Sequence, residues 1–311
     1  MSSDSEEKTA FLELVAFVDA TASLNVRRAA LEYVTGVSVT LDGSASEFFK
    51  RYDFAIGHAL CKLCEATASD RTQTMAALTN FTSGSAEAAD FVLENSRCTE
   101  IAFTACTTDV VYASVAARLL ANVSRHFPDR VCQRLQKLKP GFLASLINEV
   151  KASAEADPLK ARLVGFVVVN LTTLSAVREL LVKEHSVQLT VLYEILAKSP
   201  SADLREVVAD VLRNLSFDDD VLTPVAATSE ATVFRRVFAC RRACAVRSSS
   251  STVCKQVAEV YCRATARGAI NLDSMGPFAL PCHLVAGTVS QPTPPTCCVI
   301  SLARRTGKSK R

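Results

Sequence analysis

The sequence predicts an all-α protein, and composition is the first reason. Glycine and proline number only 10 each among 311 residues, too few for the tight turns that join many short strands. Alanine and leucine, which are strong helix formers, are abundant. Since 49% of the residues are hydrophobic, the chain has enough apolar material for a sizeable core.

The second reason is a motif that returns at a nearly constant spacing. The pattern Asn-x-Ser/Thr begins at four asparagines, Asn80, Asn122, Asn170 and Asn214, which are separated by 42, 48 and 44 residues. One step upstream, Gly36 takes the same place in VTGVS, 44 residues before Asn80. The pattern is also the acceptor sequence for N-glycosylation, but glycosylation has no reason to keep such a period. The chain therefore repeats five times.

A period in the 40s in a helical sequence is typical of Armadillo and HEAT repeats, whose units bury their apolar faces only against their neighbours. Counting from the asparagine position n, the residues at n−5, n−2 and n+1 are apolar or glycine in all five units. This spacing forms one stripe along a helix. The predicted fold is an Armadillo/HEAT-like right-handed superhelix, an α-solenoid of about five repeats with an atypical C-terminal segment.

Local signals divide these repeats into helices. KTAFLELVAFVDA opens the first unit, SEFFKRYDFAIGHALCKLCEA the second, and SAEAADFVLEN the next, with a break at Asn95. Pro158 suits the first turn of the helix that contains Asn170. Ser201 suits the N-cap of the helix that contains Asn214. The remaining apolar segments, LQKLKPGFLASLINEVKAS and AVRELLVKEHSVQLTVLYEILAKS, complete a series of stacked helical hairpins.

The asparagines Asn80, Asn122, Asn170 and Asn214 are the candidate binding residues. At about 100° per residue, position n lies opposite the centre of the apolar stripe, so each amide is available to a group outside the core. Two interpretations stay open. The amides hydrogen-bond a neighbouring backbone or repeat, or they form a ladder on the concave face that pairs both the N–H and the C=O of an extended partner chain. A glycan is a third interpretation, but it would be sterically awkward in the middle of a packed helix.

Charge divides the chain into three segments. We expect residues 1–8 to be a disordered acidic N-terminus and residues 9–220 to be the Armadillo-like repeat domain. Residues 1–218 contain 22 basic and 27 acidic residues, whereas residues 219–311 contain 13 and 5. The segment 221–311 is therefore predicted to be a divergent, basic, cysteine-rich and partly disordered region. Its RRTGKSKR end either solvates the chain or serves as a nuclear-import or nucleic-acid patch.

No arrangement of residues indicates an enzyme, a cofactor or a metal site. Cys61 and Cys64 have the spacing of a redox or zinc pair, but no second pair lies nearby, and a helical segment with two packed thiols is expected. The spacings of the C-terminal cysteines do not match those of structural zinc sites; these cysteines include Cys240, Cys244, Cys254 and Cys262. The four histidines are scattered over four segments. Asp218-Asp219-Asp220 is expected to be a solvated turn.

The N-terminus is acidic where a signal peptide would be basic. The longest apolar stretches, such as LVGFVVVNLTTL, are shorter than the roughly 20 residues that a spanning helix needs. We therefore expect a cytoplasmic protein whose 12 cysteines are reduced.

The first unit, ELVAFVDATASLNVRRAALEYVTGVS, together with ALTNFTS, RLLANVSR and VLRNLSFDDD, resembles the HGH family of Armadillo-like cytosolic proteins. The resemblance covers about residues 9–220. It implies a non-catalytic chaperone adaptor that binds newly made translation elongation factor 2 and connects it to the cytosolic chaperonin. The chain departs from the family in its basic, cysteine-rich end, which is either a divergent terminus or an altered reading frame.

Overall fold

The computed structural model describes residues 3–40, 43–108, 110–184 and 186–215, which all belong to one compact unit. These ranges contain helices and no strand. The helices are α1 (Ser3–Val18), α2 (Leu24–Ser38), α3 (Ser44–Ala66), α4 (Arg71–Gly84), α5 (Ala86–Asn95), α6 (Cys98–Cys106), α7 (Ala113–His126), α8 (Pro128–Leu138), α9 (Phe142–Ala156), α10 (Pro158–Leu171), α11 (Ser175–Glu184), α12 (Ser186–Lys198) and α13 (Ala202–Leu215). A short 3-10 turn, Ala68–Asp70, precedes α4.

Five helices carry the repeat position n and form a continuous row. These ladder helices are α2, α4, α7, α10 and α13, with Gly36, Asn80, Asn122, Asn170 and Asn214 at position n. Each ladder helix packs against the next one along the chain. The other helices pack against this row, for example α3 and α5 against α4, α9 against α10, and α12 against α13. The prediction of an all-α solenoid is confirmed.

The apolar stripe of each ladder helix faces the core, as the sequence predicts. The residues at n−5, n−2 and n+1 are buried in all five helices except for Val37, which is half-buried. One of them, Gly165, is a point of close approach: a Cβ atom there would lie 2.6 Å from Cγ1 of Val207 on α13. Glycine at this position therefore lets α10 and α13 pack closely.

Helices α10 and α13 begin at the places that Pro158 and Ser201 predict, and each begins with a side-chain cap. The Asp157 side chain accepts a hydrogen bond from the Lys160 backbone N–H, with Pro158 in the first turn of α10. The Ser201 hydroxyl accepts from the Leu204 N–H at the start of α13. Such caps satisfy amide groups that have no partner within the helix. The break predicted at Asn95 is also present, because α5 ends at that residue.

The N-terminal segment differs from the prediction. Helix α1 begins at Ser3, so most of residues 1–8, expected to be disordered, continues the first helix. Glu6 and Glu7 lie in its first turns, where negative charge is favourable. Glu7 also pairs with Arg51 of α3, with Oε1 and Nη1 separated by 2.7 Å. The acidic composition that indicated disorder thus also suits a helix N-terminus.

Helix α3 is interrupted by an unusual backbone segment. Tyr52, Asp53 and Phe54 have φ angles of 50°, 57° and 57°, in the left-handed region that costs a non-glycine residue about 1–2 kcal/mol. The segment directs Phe54 against Phe91, where the ring centroids lie 4.6 Å apart. No local residue preference indicates this break, because YDF contains neither glycine nor proline.

Several sequence-based expectations fall outside the described residues. These are the atypical segment 221–311 with its cysteines and basic end, the acidic turn 218–220, His185 and His283.

Among the described helices, no single one is long and apolar enough to cross a membrane. The pair α10 and α11 reaches sufficient length and hydropathy when taken together, but its two helices are bent by 111°.

The left-handed break in α3 can be tested by comparing the stabilities of a valine and a glycine variant. At an ordinary exposed helical position, valine is more stable than glycine by a few tenths of a kcal/mol. At Asp53 we expect the reverse, with Asp53→Val less stable than Asp53→Gly by about 1–2 kcal/mol, because a β-branched residue is strained at positive φ. Urea unfolding followed by far-UV circular dichroism measures the difference. Glu32→Val and Glu32→Gly in α2 serve as the ordinary helical control, and the same order at both positions would contradict the break.

Candidate protein-binding face

The four candidate asparagines lie one per repeat, each within the last two turns of its ladder helix. Asn80, Asn122 and Asn170 are half-buried, and Asn214 is buried. Because successive ladder helices pack against one another, the structure brings all four into one row. The four asparagines are therefore aligned as the sequence predicts, and the hydrogen bonds that they already form determine which of their groups could bind a partner.

Each asparagine amide donates to the preceding ladder helix. Nδ2 of Asn170 donates to the Ala121 carbonyl at 3.0 Å and to the Ser124 hydroxyl at 3.1 Å. These acceptors occupy positions n−1 and n+2 of the preceding repeat. The corresponding acceptors are Thr79 and Thr82 for Asn122, and Val169 and Thr172 for Asn214, at 2.9 to 3.3 Å. Asn80 donates to the hydroxyl of Ser38, again position n+2, at 2.9 Å.

The hydroxyl at n+2 completes the arrangement by donating its own proton to the carbonyl at n−1 of the same helix. Ser124 donates to Ala121 at 3.1 Å, Thr172 to Val169 at 3.0 Å, and Ser38 to Thr35 at 2.7 Å. The asparagine nitrogen, the hydroxyl and the carbonyl thus satisfy one another across the seam between repeats. We call this group of three the asparagine contact. Sequence reasoning missed the hydroxyl's role, although its signal was the Ser/Thr of the motif itself.

The asparagine contact bears on the two open interpretations of the asparagines, namely a hydrogen bond to a neighbouring repeat and a ladder that binds a partner chain. Nδ2 of Asn122 and of Asn170 donates to two acceptors of the preceding ladder helix, as the first interpretation states. Within the described residues, Oδ1 of these two side chains accepts no hydrogen bond. A partner chain could therefore donate an N–H to Oδ1 of either side chain. The expectation that each amide pairs both the N–H and the C=O of a partner chain stays a prediction.

The same geometry explains why the motif looks like a glycosylation sequence. Thr82, Ser124 and Thr172, the hydroxyl residues of three of the four motifs, are each 0% exposed. They are held by hydrogen bonds to their own helix and to the next repeat. The motif is therefore an inter-repeat contact, and the glycan interpretation loses its support.

A second set of repeated polar contacts holds the loops before the ladder helices. Position n−9 is arginine in three units, Arg27, Arg71 and Arg205, and each donates to a carbonyl of the preceding loop or helix end. The distances are 2.7 Å from Arg27 to Ala22, 3.0 Å from Arg71 to Cys64, and 2.5 Å from Arg205 to Ser199. Arg27 also forms a buried ion pair with Asp70 of the next repeat, with Nε and Oδ2 separated by 2.8 Å. These arginines repeat at the motif's period, a signal that sequence reasoning did not use.

The cysteine pair of α3 is packed inside the protein, as expected. Cys61 and Cys64 are buried free thiols on a helix, and Cys98 of α6 lies beside them, with its Sγ 3.9 Å from the Cys61 carbonyl oxygen. The contact with Cys98 and burial both raise the pKa of the Cys61 and Cys64 thiols, so they stay protonated and poorly nucleophilic. Among the described residues, no group of three His, Cys, Asp or Glu side chains could hold a metal ion.

Three solved structures with this architecture are designed or engineered proteins. An engineered protein from the Northeast Structural Genomics Consortium matches with a TM-score of 0.64 and 17% identity, covering 83% of this chain and 97% of that one. Computationally designed armadillo repeat proteins for modular peptide recognition match with a TM-score of 0.65 and 13% identity, covering 81% and 98%. A designed armadillo repeat protein in complex with peptide (KR)4 matches with a TM-score of 0.63 and 12% identity, covering 81% and 98%. The class defined by this fold is the armadillo-like α-solenoid.

No protein-family model matches the chain, and no curated protein matches it.

The asparagine contact predicts a stability role for the amides. Asn170→Ala removes the Nδ2 donor that the Ala121 carbonyl and the Ser124 hydroxyl share. We expect this loss to lower the free energy of unfolding by about 1–3 kcal/mol. Asn170→Asp keeps the shape but places oxygen against the carbonyl, so its loss should be at least as large. Urea unfolding of the full chain measures both.

The matched control is Asn25→Ala, which removes an exposed amide of α2 and should change stability by less than about 0.5 kcal/mol. If Asn170→Asp were as stable as the parent, the amide would not be donating across the seam.

Proposed function

We propose that this protein is a non-catalytic protein-binding scaffold whose ladder helices present the binding face. The observation that carries the proposal is the asparagine row: it closes every described seam with its N–H groups and leaves at least two amide oxygens on one continuous face. Amide oxygens in a row suit the N–H groups of an extended chain, as in recognition by main-chain hydrogen bonds. The designed armadillo repeat protein in complex with peptide (KR)4 supports a peptide as the kind of ligand.

The particular partner that we propose is newly made translation elongation factor 2, with the cytosolic chaperonin as the second partner. Support comes from the first-unit segment VRRAALEYVTGVS, which resembles the HGH family of Armadillo-like proteins. In this role the scaffold holds an aggregation-prone part of a multidomain client while the client folds, which lowers the chance of misassembly. The proposed location is the cytoplasm, where both partners act.

Two other functions are kept as alternatives. The first is a different Armadillo-type scaffold, in nuclear transport or at the cytoskeleton, because the repeat features that support the first proposal are general to the class. The second is a nucleic-acid or metal-binding role of the basic, cysteine-rich segment 221–311, which lies outside the described residues.

A pull-down from eukaryotic cytosol separates these functions. The tagged full chain serves as bait, and a designed armadillo repeat protein serves as the control for non-specific capture by the fold. We expect mass spectrometry to show elongation factor 2 and chaperonin subunits enriched at least tenfold over the control. Nuclease treatment before capture tests the nucleic-acid alternative, because contacts to phosphate would then be lost. Equal amounts of both proteins on the two baits would overturn the chaperone-adaptor proposal.

A further inference from the structure

One ladder helix carries a strongly basic face around its asparagine. Arg118, Asn122 and Arg125 lie on α7 at a spacing of four and then three residues, so they share one face of the helix. Arg118 and Arg125 are both exposed. Neither forms an ion pair within the described part of the chain. Two uncompensated guanidinium groups therefore lie one helical turn on either side of an amide oxygen that accepts no hydrogen bond there.

On the neighbouring ladder helices that the structure describes, the positions equivalent to Arg118 and Arg125 carry no negative charge. On α4, the positions equivalent to these two arginines are Ala76 and Ser83, which are uncharged. Asp157, which lies beside α7, accepts from the Ser114 hydroxyl and caps α10. Asp203 of α13 pairs with Arg162 of α10 at 2.9 Å. The basic character of α7 is thus left for an external group.

The next ladder helix adds an apolar feature. Phe166 on α10 lies four residues before Asn170 and is half-buried. The Arg162 guanidinium carbon lies 5.4 Å from the centroid of its ring, an arrangement that holds the ring and the cation together. The face of α10 therefore offers an aromatic surface at the same level at which α7 offers Arg118.

We propose that the α7 face binds an extended acidic segment of a protein partner, with two consecutive carboxylate side chains pairing with Arg118 and Arg125. The inference rests on the proposed scaffold function and adds the chemistry of the ligand. In an extended chain, successive side chains point to opposite sides. A chain that crosses α7 above Asn122 and donates an N–H to its Oδ1 thus directs one carboxylate toward each arginine. The two arginines are about 10 Å apart along the helix axis, so the chain fits between them.

The distance between α7 and α10 predicts a further feature of the ligand, an apolar side chain that contacts Phe166. Packed helices lie about 8–10 Å apart, which an extended chain covers in two or three residues. An apolar side chain two or three residues from the acidic pair would therefore reach Phe166 on α10. The ligand class is an extended peptide with two adjacent acidic residues followed or preceded at that distance by an apolar residue.

Fluorescence anisotropy with labelled peptides on the full chain tests this inference. The probes are an acidic peptide with adjacent Asp-Glu and a nearby Phe, its Asn-Gln counterpart, and its Lys-Lys counterpart. We expect the parent protein to bind the acidic peptide at least tenfold more tightly than the other two. Raising the salt concentration should weaken this binding, because the contacts are between exposed charges.

The decisive variant is Arg118→Glu with Arg125→Glu, which should lose at least tenfold in affinity for the acidic peptide and gain affinity for the Lys-Lys peptide. The matched control is Arg97→Glu with Lys137→Glu. Both residues are exposed; Arg97 lies just before α6 and Lys137 lies on α8. The two substitutions change the net charge by the same amount as the decisive variant. It should stay within twofold of the parent. Because the basic segment 221–311 is present in all variants, its contribution cancels. Urea midpoints verify that both variants are folded.

Equal weakening by the two double variants, or no preference of the parent for the acidic peptide, would overturn the inference. Capture of elongation factor 2 by the parent and equally by Arg118→Glu/Arg125→Glu would also reject the α7 site for that client, while the chaperone-adaptor proposal stands. A selective acidic peptide site without capture of elongation factor 2 would reject the client and leave the site.

Discussion

The seam between successive ladder helices is the constraint on which the rest of the structure depends. Each repeat can bury its apolar stripe only against its neighbours, and close packing there would leave helix-end carbonyls and hydroxyls without water. The asparagine contact satisfies them: for Asn170, one amide serves the Ala121 carbonyl and the Ser124 hydroxyl of the preceding repeat. The same three groups recur at the α4–α7 and α10–α13 seams, so the polar groups at each of these seams are satisfied in the same way.

The asparagine contact divides the polar groups of each ladder helix into those that hold the seam and those that stay available to a partner. The hydroxyl at n+2 and the amide nitrogen at n are occupied by the seam, and so the proposed binding face consists of the amide oxygen at n and the side chains at n−4 and n+3. These are uncharged in α4, where Ala76 and Ser83 stand, and basic in α7, where Arg118 and Arg125 stand. A solenoid built in this way can change its ligand from repeat to repeat without altering its packing.

Buried charge plays a different part in the same fold. Arg27 and Asp70 form an ion pair that is almost fully buried and joins the first repeat to the second, and Arg27 also holds two loop carbonyls. Removing water from two charges costs several kcal/mol, so such a pair adds little net stability but is strongly destabilising when one partner is lost. Its effect is to hold the loop and the next helix in one register. The exposed cross-repeat pairs, such as Lys62 with Asp19, contribute much less.

The sequence by itself determined the repeat period, the ladder helices, the apolar stripe, the first-turn position of Pro158 and the cap at Ser201, because all of these follow from local periodicity and from residue preferences at helix ends. It identified the four asparagines but left their partners open. Only the tertiary structure decided that their N–H groups are used within the solenoid, since the acceptors lie 40 to 49 residues away in the chain. The break at Tyr52–Phe54 was also invisible, because packing of Phe54 against Phe91 overrides the helical preference of the local sequence.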